Sequence, residues 1–116
     1  MSTRPIQYDG RRFAPVDAHE NGDADTRTRF DYRQSGDVVW ATYRGGSVQM
    51  GTLVATVDAR GSLDMRYNHV DTAGELRTGT CLSIPEVLPD GRLRLHETWQ
   101  WTNGDGTSGT STLEEI

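Results

Sequence analysis

The sequence predicts an all-β fold, an eight-stranded antiparallel up-and-down barrel, and three observations lead to it. Turn signals recur at short intervals: Asn21-Gly22, Ser35-Gly36, Gly45-Gly46, Arg60-Gly61, Ala73-Gly74, Asp90-Gly91 and the Gly104–Gly109 stretch. Such pairs supply the positive φ that tight hairpins need. The runs between them are rich in Val, Thr, Tyr, Trp and Leu and mostly alternate apolar with polar residues, the mark of half-buried strands. No stretch of useful length shows a 3.6-residue period, and every connection is short. A chain of 116 residues supports one core and hence one domain spanning 1–116. Eight meander strands closing on themselves remove the exposed edges of an open sheet, and eight strands leave an interior able to hold one small ligand.

In chain order the strands are expected at about 11–17, 26–34, 37–44, 47–58, 62–70, 75–84, 92–103 and 108–116, with residues 1–10 as a loose N-terminal segment. The first follows that polar leader. In the second, Phe30 and Tyr32 share a face. The third admits two phases: Trp40 inward with Val38 and Thr42, or Val39 with Ala41 and Tyr43. The fourth lies between the Gly45-Gly46 and Arg60-Gly61 turns. In the fifth, Leu63, Met65, Tyr67 and His69 share one face, opposite Asp64, Arg66 and Asn68. The sixth leads into Ile84-Pro85-Glu86-Val87-Leu88-Pro89, whose two prolines are foreign to a central strand and suggest a crossing or a lid near one mouth. In the seventh, Leu93, Leu95, Glu97, Trp99 and Trp101 face one way, and Arg92, Arg94, His96, Thr98 and Gln100 the other. The apolar face must be the interior, because nothing else covers it. The eighth follows the Gly/Ser/Thr-rich stretch 103–112.

Composition narrows the function. The 12 basic residues are all arginine, and 17 acidic residues give a net charge of -5. The absence of lysine removes Schiff-base and P-loop chemistry. Net acidity with dispersed arginines argues against nucleic acid as a partner. No apolar run approaches the 18 or so residues of a membrane span. The N-terminus has no apolar signal region and Cys81 is the lone cysteine, so the cytoplasm is the expected compartment.

Glu97 is the most informative residue. A carboxylate between Leu95 and Trp99 is costly unless paired or protonated. It is therefore either a ligand anchor and candidate catalytic acid, or half of a structural ion pair with Arg44, Arg66 or Arg77, of which Arg66 is out of phase. His69 beside Tyr67 is a second polar anchor or a satisfied histidine near a strand end. Trp40, Trp99 and Trp101 either line a pocket for a flat or apolar ligand or fill the core. Cys81 reads as a buried structural thiol. His96 faces away from Glu97 and His19 sits in a loop, leaving only His69 and Glu97 as metal ligands, too few for a site. No metal and no cofactor is expected. The candidate ligand-binding set is thus Tyr67, His69, Glu97, Trp99, Trp101 and Trp40.

Several segments together carry a resemblance: Phe30-x-Tyr32-x-Gln34, Val39-Trp40-Ala41-Thr42-Tyr43-x-Gly45-Gly46, Leu63-Asp64-Met65-Arg66-Tyr67-x-His69, Gly79-x-Cys81-x-Ser83-x-Pro85-Glu86 and Gly91-Arg92-x-x-Leu95-x-Glu97-x-Trp99-x-Trp101. They resemble, over nearly the whole chain after about residue 8, a family of short bacterial proteins whose members often carry the label N-acetylglutamate synthase. The usual acetyl-CoA transferase needs a mixed α/β fold and a Gly-rich pyrophosphate loop at a helix N-terminus, and this sequence offers neither, which argues against that activity. The overall plan resembles avidin- and lipocalin-type (calycin) barrels, which implies binding of a small ligand. Three functions stay open: a non-catalytic barrel binding a small, partly apolar metabolite; a small barrel enzyme of cyclase, isomerase or lyase type using Glu97 with Tyr67 or His69; and a structural or regulatory homodimer with a filled core.

Overall fold

The computed structural model describes residues 5–19 and 21–116. Eight strands follow one another: β1 (Arg12–Pro15), β2 (Arg29–Ser35), β3 (Val38–Gly45), β4 (Val48–Val57), β5 (Leu63–Asp71), β6 (Leu76–Val87), β7 (Leu93–Trp101) and β8 (Ser108–Glu115). Each pairs antiparallel with the next, and β8 returns to β1 through Phe13 opposite Glu115 and Pro15 opposite Leu113, closing the barrel. The predicted meander is therefore present. The second strand begins later than expected because Asp25–Thr28 is a turn: the Thr28 N–H donates to the Asp25 carbonyl at 2.9 Å, and the Asp25 N–H to the Thr28 hydroxyl at 3.0 Å. Among the described residues no helix is long and apolar enough to cross a membrane.

Alternation decides what enters the interior. Phe30 and Tyr32 point inward from β2, and Tyr32 stands opposite Ala41. That register forces Val39, Ala41 and Tyr43 inward and turns Trp40 outward beside Arg33 and Val54, where it is 40% exposed. β4 and β5 follow with Leu53, Ala55, Leu63 and Met65, and β7 with Leu93, Leu95, Trp99 and Trp101.

The bulk is accommodated by pairing aromatic residues with glycine. Tyr43 is opposite Gly51, Tyr67 opposite Gly79, and Trp99 opposite Gly109. Each ring lies over its partner so closely that a methyl group on any of the three glycines would overlap it. Alternating large and small residues in this way fits side chains into the narrow interior of a small barrel.

The two ends differ. The end bearing the β2–β3, β4–β5 and β6–β7 turns is filled. Residues 5–10, expected to be loose, are bound there, while residues 1–4 lie outside the described residues. Tyr8 is fully buried, its N–H donates to the Gln34 side-chain carbonyl at 2.8 Å, and its hydroxyl donates to the carbonyl of Gly61. Gly61 needs its positive φ of 86°, and Ile6 and Pro85 pack where its side chain would be. The Pro85 region is likewise neither a crossing nor a lid. β6 continues through it, paired to β7 from Gly79 to Val87, with Pro85 opposite Leu95. β5 has already ended at Leu63, opposite Ser83, so Pro85 has a strand neighbour on one side only, as a proline tolerates. Pro89 belongs to the β6–β7 turn, where the Gly91 N–H reaches the Leu88 carbonyl at 2.9 Å.

The glycine pairing predicts that Gly79→Ala pushes the Tyr67 ring out of place. Overpacking of this kind should cost about 1–3 kcal/mol, read as a lower urea midpoint with an unchanged slope. An unchanged midpoint would show that both the ring and the Gln100 carbonyl, which the methyl would also meet, have room to move.

Candidate functional site

The other end of the barrel carries the β3–β4, β5–β6 and β7–β8 turns and is covered by the long β1–β2 connection. Polar groups latch that connection down. The Trp101 indole N–H donates to the Asn21 carbonyl at 2.9 Å. One oxygen of Asp23 lies 2.8 Å from His69 Nε2 and 3.4 Å from an Arg77 nitrogen. His69 Nδ1 lies 3.0 Å from the Tyr43 hydroxyl, so both ring nitrogens of this buried histidine are engaged. The Arg77 guanidinium sits 3.9 Å from the centre of the Trp101 ring, a cation–π contact. Gly22 lies against Trp99, and His19 meets Trp99 edge-on with centres 5.2 Å apart.

Beneath this cover is a cavity of about 80 Å³. Six aromatic side chains stand in its walls, Phe30, Tyr32, Tyr43, Tyr67, Trp99 and Trp101, with Leu53, Met65 and Leu113 among them. Trp99 spends its N–H on the Ser111 hydroxyl at 2.8 Å, as Trp101 spends its own on Asn21, so both indoles offer the cavity carbon surface. Tyr67 meets Trp101 edge-on, with centres 5.6 Å apart.

Glu97 enters this cavity from the middle of β7. It lines the cavity, while its Oε2 is buried and has no hydrogen-bond partner. None of the proposed arginines reaches it. Arg66 pairs with Asp64 at 2.7 Å on the outer wall, Arg77 serves Asp23, and Arg44 is exposed. Burial pushes the Glu97 carboxyl up to about 7. The Ser83 hydroxyl, directly opposite on β6, acts in the downward direction, although it has no formed hydrogen bond. The Tyr32 hydroxyl is also unpartnered, in a side chain 1% exposed. Burial, with Glu97 next in effect, raises the Tyr32 phenol well above its ordinary range, so it stays protonated. Burial likewise raises the Cys81 thiol, an inert lining group.

Five of the six predicted site residues therefore meet at one cavity: Tyr67, His69, Glu97, Trp99 and Trp101. Trp40 does not; it lies on the outer wall, because the β2–β3 register assigns the inward position to Ala41. His96 is outside too, 2.9 Å from Glu86. Asp23, Tyr32, Tyr43 and Ser83 were not singled out from the sequence. Asp23 had one legible signal, a carboxylate in a polar loop of a chain with a buried histidine needing an acceptor. Among the described residues no group of three or more His, Cys, Asp and Glu side chains is placed to hold a metal ion.

A family model described as avidin-like protein matches residues 6–116 of the chain. No curated protein and no solved structure matches it.

The buried carboxyl has a signed consequence. Its folded value lies above its ordinary one of 4.5, so between about pH 4.5 and pH 7 the folded state holds more protons than the unfolded state. Stability from this group is present at low pH and lost as pH rises through that window. Glu97→Gln should therefore gain on the native protein by up to about 3 kcal/mol between pH 4 and pH 8, with little change below. Parallel denaturant titrations at the two pH values measure this, and a constant offset between the two proteins would contradict it.

Proposed function

The chain belongs to the avidin-like protein family, and on that premise we propose that it is a non-catalytic barrel holding a small, partly apolar molecule inside. The observation that carries this reading is the cavity rich in aromatic side chains, two of whose lining residues, Glu97 and Tyr32, keep a buried oxygen without a hydrogen-bond partner. Buried polar atoms are normally satisfied, so a cavity bordered by two unpartnered ones is suited to a polar guest. The volume of about 80 Å³ sets the scale. An apolar cavity of about 150 Å³ takes benzene, and one water occupies about 30 Å³. The enclosed part of the guest is thus a few heavy atoms, either a whole small molecule or the tip of a longer one entering beneath the β1–β2 connection.

A second reading, a cyclase, isomerase or lyase, is supported by the carboxyl of Glu97, which is poised near neutrality as a general acid or base is. His69 is a poor partner for it, because both ring nitrogens are committed to Asp23 and Tyr43. Tyr67 is the better one: it lines the same cavity, and its phenol is raised by burial and stays protonated.

Intrinsic fluorescence tests the binding reading. A fragment that enters the cavity should change emission from Trp99 and Trp101 and leave Trp40 unaffected. Trp40→Phe should keep the response, and a folded Trp99→Phe, Trp101→Phe double variant should lose most of it. A response that disappears with Trp40 would place binding on the outer wall and refute the reading. Native mass spectrometry of protein purified from its host should show a co-purifying adduct, which Met65→Trp, filling the cavity, removes. Turnover of a captured molecule would favour the enzyme instead.

A further inference from the structure

We propose that the guest presents an ammonium group to Glu97, so that the cavity is a site for a small primary alkylammonium ion. This rests on the binding reading above and specifies its chemistry. The argument begins with charge. Glu97 enters the cavity without a cation beside it: no arginine is among the residues that line it, Arg77 is held by Asp23 and the Trp101 ring at the rim, and Arg44 is exposed. The groups that act on it or feel its charge are all neutral hydroxyls and a thiol: Tyr8 from the N-terminal segment, Tyr32 from β2, Tyr43 from β3, Tyr67 from β5, and Cys81 and Ser83 from β6. The charged and titratable groups at the cover are turned to one another or to an indole: Asp23 contacts His69 and Arg77, and His19 packs edge-on against Trp99.

Hydrogen-bond counting points the same way. Two residues of the cavity wall keep an unpartnered side-chain oxygen, Glu97 at Oε2 and Tyr32 at its hydroxyl. Both oxygens can accept, and a primary ammonium carries only N–H donors, enough to serve both. A carboxylate guest would meet like charge, and a hydrocarbon guest would leave both oxygens as they are. Five further aromatic rings stand in the wall, Phe30, Tyr43, Tyr67, Trp99 and Trp101, among aliphatic side chains such as Leu53 and Met65; the rings favour a cation over an anion and the aliphatic groups suit its alkyl stem. The cavity itself encloses about three or four carbons of that stem, since it is about half the size of one that admits benzene.

The experiment compares isopropylammonium with its neutral isostere 2-propanol and with isobutyrate, by calorimetry and thermal shift at constant ionic strength. At pH 8 the ammonium ion should bind at least tenfold more tightly than the alcohol, and isobutyrate should not bind. Glu97→Gln should abolish the preference while leaving alcohol binding in place. An ion binding to the ionised carboxylate must displace a proton at low pH, so its affinity should fall about tenfold per unit below pH 7, while that of the alcohol stays flat. Alcohol binding as tightly as ammonium, or a preference that survives Glu97→Gln, overturns the ammonium assignment and leaves the binding reading standing. If neither probe binds but xenon enters the cavity, the assignment likewise fails alone. If xenon is also excluded, both fail.

Discussion

Closure is the constraint on which the rest of this structure depends. Once β8 pairs back to β1, the eight strands enclose a space about one layer of side chains deep. Every inward position then has to be filled according to its neighbours across the barrel rather than by its own propensity. The aromatic–glycine pairs are the local solution. Tyr43, Tyr67 and Trp99 lie flat over Gly51, Gly79 and Gly109, so three large rings are accommodated without widening the barrel. The glycines here are chosen for the absence of a side chain, whereas Gly61 is required for its backbone conformation.

The same closure makes the two ends unequal. One is filled by hydrocarbon and a tyrosine from outside the strand set: Phe13, Leu63, Leu93 and Leu95 are buried there beneath Tyr8. The other is covered by a connection that adheres through polar contacts, Asp23 to His69 and Arg77, and Asn21 to Trp101. The cavity lies on the side of the barrel that this connection covers. The chain of contacts Tyr43–His69–Asp23–Arg77 occupies both ring nitrogens of the histidine.

Glu97 is the local exception to an otherwise consistent design. Its neighbours along β7, Leu95 and Trp99, exclude water, and burial without a counter-ion is a standing electrostatic cost. A stability-optimised barrel of this sequence would carry an uncharged residue there. Costs of this kind concentrate where a protein binds or reacts, and the unsatisfied Tyr32 and Ser83 hydroxyls gather at the same place.

What the sequence determined by itself was whatever depends on local periodicity. The count of strands followed from turn spacing, and the inward faces of β5 and β7 followed from strict alternation anchored by Leu63, Met65, Leu93 and Leu95. Those phases carried Tyr67, His69, Glu97, Trp99 and Trp101 to the cavity. Tertiary structure decided whatever depended on a partner. β3 has apolar residues on both faces, so only its register against Tyr32 could send Trp40 outside and Ala41 inside. Pro85 is tolerated in β6 because β5 stops short of it, a fact about a neighbouring strand. Tyr8 is buried because Gly61 and Gln34 offer it partners from 53 and 26 residues away. Asp23 joins the cover because His69 and Arg77 are carried to the same rim by β5 and β6. A period of two specifies which way a side chain faces, but not what it will find there.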